Sequence, residues 1–189
     1  MLAIGTHDSI TGERTAWWCV LFILFARTQC KTLEEQYDAG CRLFDIRIKK
    51  VFGKWRGAHG WWFTKHDIET LLNTINYADV NVNITYEGKE EHTEEFKQYV
   101  LILKNKFHNI NWGDVCAKYS RNSKGIIVKY SESFYPRDAT YTTKPNKQAF
   151  LPLDGKHWQT YIPIPILWKQ FYFKNVTFNE DYFQYVDFL

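Results

Sequence analysis

Residues 41–48, Cys-Arg-Leu-Phe-Asp-Ile-Arg-Ile, decide how this chain is read. Leu43, Asp45 and Arg47 fall on one side and Phe44, Ile46 and Ile48 on the other, the period of two that belongs to a β-strand. Asp45 and Arg47 stand two apart, so their opposite charges project from one face, near the strand's C-terminal end.

Upstream of that strand, Thr32 and Glu35 have capping-box spacing and open a helix that stops near Gly40. Further back, a short apolar strand runs into Gly5-Thr6-His7-Asp8-Ser9. Downstream, residues 55–60 read as a short third strand or its exit. Asp67 caps a helix with Ile68, Leu71, Leu72 and Ile75 at i, i+3, i+4 and i+7. Residues 80–87 form a strand that turns Val80, Val82 and Ile84 one way and Asn81, Asn83, Thr85 and Glu87 the other. Phe96, Tyr99, Val100, Leu103 and Phe107 make the clearest helical stripe. Trp112, Val115, Cys116 and Tyr119 repeat its spacing and predict a shorter helix before a strand at 125–130. After Ser131, Pro136, Pro145, Pro152, Pro163 and Pro165 break any long helix. Extended runs remain at 150–153, 171–178 and 182–189, with an ordered loop at 162–166.

Strand and helix signals alternate through the first half, which predicts an α/β fold. The repeated β–α order points to a parallel barrel, but regular barrels need about 250 residues and this chain has 189. Helices must therefore be missing from the Pro-rich half. The expected architecture is a small, distorted or incomplete (β/α)8 barrel of the TIM type. No repeat, linker or low-complexity tract divides residues 1–189, so one domain is expected.

Composition narrows the function. Aromatic residues make up 18% of the chain, which excludes a disordered tail. The formal charge of +3 is too small to argue for a nucleic-acid partner. It suits an anionic lipid surface, where each nearby Lys or Arg contributes roughly 1 kcal/mol. Cys19, Cys30, Cys41 and Cys116 show no metal-like spacing and read as free buried thiols. No secretory signal opens the sequence. The apolar run at 16–26, Ala-Trp-Trp-Cys-Val-Leu-Phe-Ile-Leu-Phe-Ala, is well short of the ~20 residues a spanning helix needs. It reads as a core helix or, alternatively, as a surface that touches lipid. Location is left open.

The ionisable residues converge. His7 ends the first strand, Asp45 and Arg47 the second, His59 the third, Glu87 the fourth and Lys129 the fifth. In a barrel the C-terminal strand ends meet at one mouth, where active sites are built. Trp17 and Trp18 follow the first of these ends and Trp61 and Trp62 the third. Both pairs read as membrane-interface aromatics or as core. His66, His92, His108 and His157 have no partner motif and read as solvated or core residues.

Three blocks carry a resemblance: Gly5-Thr6-His7-Asp8-Ser9; then Gln36 followed by Ala39-Gly40-Cys41-Arg42-Leu43-Phe44-Asp45-Ile46-Arg47; then His59-Gly60. In order and spacing they resemble the X-domain of phosphatidylinositol-specific phospholipases C, in its metal-independent, bacterial-type branch. They cover roughly the first 60 residues, and Val186-Asp187-Phe188 is similar to the last barrel strand of that family. The resemblance implies a metal-free cleavage of phosphatidylinositol, or a related inositol phospholipid, into diacylglycerol and a 1,2-cyclic inositol phosphate at a peripheral membrane surface. His7 would be the general base, His59 the general acid and Arg47 the phosphate-binding group. Asp8 would orient His59, Asp45 would support Arg47 and His59, and Asp187 would partner His7. Glu87 and Lys129 would hydrogen-bond inositol hydroxyls, unless they are solvated rim charges. No cofactor is implied, because Asp8 and Arg47 stand where the calcium-dependent branch has an asparagine and an acidic ligand. Two other readings stay open: a metal-dependent glycerophosphodiesterase or sphingomyelinase-D-like enzyme, and a non-catalytic inositol-lipid binding protein.

Overall fold

The computed structural model describes residues 4–6, 8–122, 125–132 and 184–186. Its strands are β1 (Ile4–Thr6), β2 (Cys41–Val51), β3 (Lys54–His59), β4 (Trp62–Asp67), β5 (Asn81–Tyr86), β6 (Asn111–Asn122), β7 (Gly125–Glu132) and β8 (Gln184–Val186). The helices are α1 (Ile23–Ala26), α2 (Leu33–Asp38), α3 (Ile68–Asn73) and α4 (Thr93–Lys106), with 3-10 turns at Ser9–Gly12, Trp17–Phe22 and Glu90–His92. The expected runs at 150–153, 162–166 and 171–178 lie outside the described residues.

A parallel arc, in the order β8-β1-β2-β5-β6, forms the spine. Its long strand β2 continues past the arc and pairs antiparallel with β3, which pairs antiparallel with β4. At the far edge β7 runs antiparallel to β6. The mixed α/β character is as expected, but among the described residues the sheet does not close into a barrel.

Two tight turns explain the departure around 55–60, where a parallel strand was expected. Val51 pairs with Lys54 across Phe52 and Gly53, and both of those residues have positive φ, 48° and 71°. That is the twist a two-residue hairpin needs. His59 pairs with Trp62 across Gly60 and Trp61, with Gly60 at φ 60° in the first turn position. The segment is thus one arm of a hairpin on β2.

A second departure is the helix expected from Trp112 to Tyr119, which is the strand β6. Gly113, Val115, Cys116 and Ala117 are all buried, so β6 is covered on both faces and loses the alternation that marks a half-buried strand. Its parallel register against β5, Thr85 beside Cys116 and Tyr86 beside Ala117, overrides the helical spacing.

The other helices follow their signals. Thr32 caps α2 with a complete capping box, its hydroxyl accepting from Glu35 N while the Glu35 carboxylate accepts from Thr32 N at 2.8 Å. The Asp67 carboxylate accepts from Thr70 N at 2.9 Å and starts α3. Ile68, Leu71 and Leu72 of α3 and Phe96, Val100 and Leu103 of α4 join Phe44, Ile46, Ile48, Val82 and Ile84 in one buried core. Trp55 stacks on Tyr99 at 4.9 Å and fastens the hairpin to α4. The other side of β2 and β5 carries the polar set: Asp45 lies beside Asn83 and Arg47 beside Thr85.

Candidate active site

Asp8 follows the end of β1 and is fully buried. Its backbone is left-handed, φ 47° and ψ 48°, a conformation Asp tolerates better than most residues. The turn aims its carboxylate at two partners. One oxygen, Oδ1, pairs with Arg47 Nε, and the other, Oδ2, lies 2.9 Å from His59 Nδ1.

Arg47 is held by two further carboxylates. Asp45 Oδ2 accepts from Nη2 at 3.2 Å, and Glu87 Oε1 accepts from Nη1 at 3.0 Å. Asp45 Oδ2 also accepts from the Asp8 backbone N at 3.3 Å, and Glu87 Oε2 from Gly60 N at 3.5 Å. A planar guanidinium presents donors in a fixed fork, so three carboxylates from the β1 turn, β2 and the end of β5 fix its plane. A cationic nitrogen group therefore occupies the centre of this acidic cluster. Among the described residues no group of three or more His, Cys, Asp or Glu is placed to hold a metal ion.

His59 ends β3, one residue before the Gly60–Trp61 turn, and about 30% of its side chain remains exposed. The negative charge of Asp8 raises its pKa above the ordinary value, assisted by the hydrogen bond to Asp8 and by Glu87 and opposed by burial and by Arg47. His59 thus turns Nδ1 to the Asp8 carboxylate, which leaves Nε2 as the nitrogen to exchange a proton with substrate.

The structure thus brings together Asp8 from the turn after β1, Asp45 and Arg47 from the middle of β2, and His59 and Glu87 from the ends of β3 and β5. Asp45 and Arg47 do not end their strand as expected, because β2 runs on to Val51 to pair with β3. His7 and Asp187 lie outside the described residues, as does the Lys129 side chain. The Lys129 backbone sits on β7, next to Tyr130, whose register through Ala117 to Tyr86 sets it at the level of the Glu87 end of β5. Glu87 is in contact with Arg47 and Gly60 rather than being a solvated rim charge.

The tryptophans divide. Trp17 is 83% exposed, Trp61 75%, and Trp18 also reaches the surface. Trp62, named as a membrane contact with core as the alternative, is completely buried, and its Nε1 donates to Thr15 Oγ1 at 2.9 Å. Trp61 stands in the tight turn, where its ring is left at the surface, whereas Trp62 opens β4 and its ring is packed inside. Nor is the 16–26 run a core helix. It breaks into 3-10 turns and a single helical turn with a non-helical Cys19 between, and only Ala16, Cys19 and Ala26 are buried. Val20, Leu21, Phe22, Leu24 and Phe25 remain exposed, as does Phe52, whose ring meets Trp18 edge-on at 5.4 Å. Two cations are seated among these rings: Arg56 lies 5.4 Å from the Trp18 ring centre and Lys49 5.9 Å from that of Trp61. Lys49 and Arg56 are paired across β2 and β3, so the rings and charges share one face of the hairpin.

None of the four cysteines is joined in a disulfide, and Cys30 is exposed rather than buried. Burial pushes the Cys41 thiol up to about 12, which makes it inert. His66, His92 and His108 are exposed, and His157 lies outside the described residues.

No family model and no curated protein matches the chain. Among solved structures it is similar to a pentafluorophenylalanine-containing phosphatidylinositol-specific phospholipase C from Staphylococcus aureus, with a TM-score of 0.45 and 16% identity over 66% of this chain and 49% of that one. It is also similar to the phosphatidylinositol-specific phospholipase C from Listeria monocytogenes, with a TM-score of 0.47 and 15% identity over 80% of this chain and 66% of that one. The chain spans about half the length of the first enzyme and 66% of the second. These are partial likenesses of chain path, and the chemistry has to stand on the site's own geometry.

Proposed function

We propose that the chain is a phosphodiesterase of the phosphatidylinositol-specific phospholipase C type, working without a metal ion. The observation that carries this reading is the single Asp8 carboxylate bridging Arg47 and His59, which sets an anion-binding cation beside a proton donor. In the proposed reaction His7 takes the proton of the inositol 2-hydroxyl and that oxygen bonds to phosphorus. The bond from phosphorus to the diacylglycerol oxygen breaks, and His59 gives its proton to the departing oxygen. The products are a 1,2-cyclic inositol phosphate and diacylglycerol. A raised pKa suits His59 to the acid role, since it stays protonated nearer neutrality. Arg47 would stabilise the charge that grows on the phosphate oxygens. Asp187 would orient His7, while Glu87 and Lys129 would meet the inositol hydroxyls. The guanidinium set among three carboxylates supports metal independence, because it cannot lose its proton and its fixed positive charge would repel a divalent cation at that place.

The substrate lies in a membrane, and the exposed face with Trp17, Trp18, Leu21, Phe52 and Trp61 is the surface proposed to meet it. Exposed aromatic rings partition to the bilayer interface, and Lys49 and Arg56 would favour anionic lipid. The residues 1–189 are proposed to act as one catalytic domain.

The experiment is release of cyclic inositol phosphate from phosphatidylinositol vesicles in excess EDTA, with His7→Ala as control. Product from the parent and none from the variant supports the reading. Activity that needs added Ca²⁺ or Mg²⁺ overturns the role given to Arg47, and binding to vesicles without product in either condition leaves a lipid-binding protein.

A further inference from the structure

The left-handed turn at Asp8 is not held by Asp8 alone. Its carbonyl accepts from Thr11 N at 2.9 Å and from the Thr11 hydroxyl at 2.8 Å. The Thr11 oxygen in turn accepts from the backbone N of Thr28 and of Gln29, both at 3.0 Å, and the Thr28 hydroxyl lies 2.9 Å away. A hydroxyl has one hydrogen and two lone pairs, so these bonds use all that Thr11 can offer. Thr11 is fully buried and Thr28 nearly so. The two stretches approach so closely that a Cβ on Gly12 would stand 1.8 Å from Lys31 O.

We propose that Thr11 is a positioning residue for the Asp8–Arg47–His59 cluster, its hydroxyl pinning the Asp8 carbonyl to the backbone at 28–29 and so fixing where the Asp8 carboxylate stands. The inference rests on the reading of Asp8 as the group that holds His59. A side chain placed by only a Cα and two torsions cannot keep a 2.9 Å contact if its backbone shifts by an ångström. Without the hydroxyl, the Asp8 carbonyl loses a 2.8 Å donor and its tie to the backbone at 28–29, and the turn is released towards the right-handed basin that is cheaper for a non-glycine residue. The segment that Thr11 grips is also the exit of the exposed 16–26 run, so the same hydroxyl ties that run to the site.

The test is titration of the His59 ring by NMR in substrate-free protein, comparing the parent with Thr11→Val, Thr11→Ala and Thr11→Ser. The groups that face His59 are Asp8, Arg47 and Glu87, and all four proteins retain them. Val and Ala should each lower the His59 pKa, and Ser should restore it. Turnover should fall in Val and Ala through kcat, with KM little changed. Variants that melt earlier yet titrate like the parent would show a merely structural role and overturn the proposal. If one of the two does not fold, the other decides by the same criterion. Because the titration needs no substrate, a parent that cleaves no inositol lipid but shows the expected shifts refutes the functional reading and leaves the role of Thr11 standing.

Discussion

Asp8 Oδ2 stands 2.9 Å from His59 Nδ1 while the other oxygen of the same carboxylate pairs with Arg47, so one buried acid controls both the proton donor and the cation. Asp8→Asn keeps the shape and the left-handed backbone but removes the charge. The His59 pKa should fall, because the attraction that raises it is gone and burial remains. Rate should drop on the order of 10²–10⁴-fold, the usual worth of a positioned acid or base. An NMR titration alongside a vesicle assay checks both.

The same contact predicts a pH dependence of stability. The folded pKa of His59 lies above its unfolded value of 6.5, so the folded state holds the proton more tightly. That contribution is fully present below the unfolded pKa and is lost as pH rises through the folded one. The parent's advantage over His59→Gln in urea melts should therefore shrink with rising pH above 6.5. An advantage that grows instead would mean the ion pair with Asp8 has been given the wrong sign.

Arg47→Lys should not preserve function. A lysine offers one ammonium where Arg47 reaches Asp8, Asp45 and Glu87 with three nitrogens. A loss of ~10²-fold or more in kcat, with the fold retained by circular dichroism, is the expected outcome on the scale of a lost transition-state donor.

The tryptophans should separate cleanly. Trp17→Ala together with Leu21→Ala removes only exposed surface, so stability should change by under about 0.5 kcal/mol while vesicle binding weakens. Trp62→Ala should instead cost about 3–5 kcal/mol, the usual range for a buried aromatic, and strand the Thr15 hydroxyl. Sedimentation with lipid and urea melts on the two variants distinguish them.

What the sequence made legible was the chemistry with short-range geometry. Asp45 and Arg47 are two apart on a strand, so their shared face follows from the pleat alone, and the Thr32 and Asp67 caps follow from spacing. Asp8 to His59 was reached through a resemblance, since nothing local to either residue reports the hairpin that joins them. That hairpin was hidden because its first turn is Phe52-Gly53 instead of Asn-Gly, with a phenylalanine carrying a positive φ. Gly60-Trp61, with glycine leading, was the available signal for the second turn. The β6 strand was misread because a strand buried on both faces has no alternation to detect. Glu87 was placed at the rim, but its bond to Arg47 depends on the parallel register of β2 and β5, which periodicity within one strand does not encode. Thr11 and Thr28 carried no signal at all, because hydroxyl residues in loops are common and only their meeting across the chain gives them meaning.

The left-handed backbone at Asp8 restricts which amino acids can be accepted there. Glycine and asparagine can adopt that conformation but bring no charge, and glutamate brings the charge with a Cβ-bearing chain one methylene too long, in a conformation its type seldom adopts. Aspartate alone meets the backbone and the electrostatic requirement together. A library randomised at this codon should therefore return aspartate under selection for activity, yet glycine or asparagine under selection for folding alone. The position keeps two separate records, one of shape and one of charge.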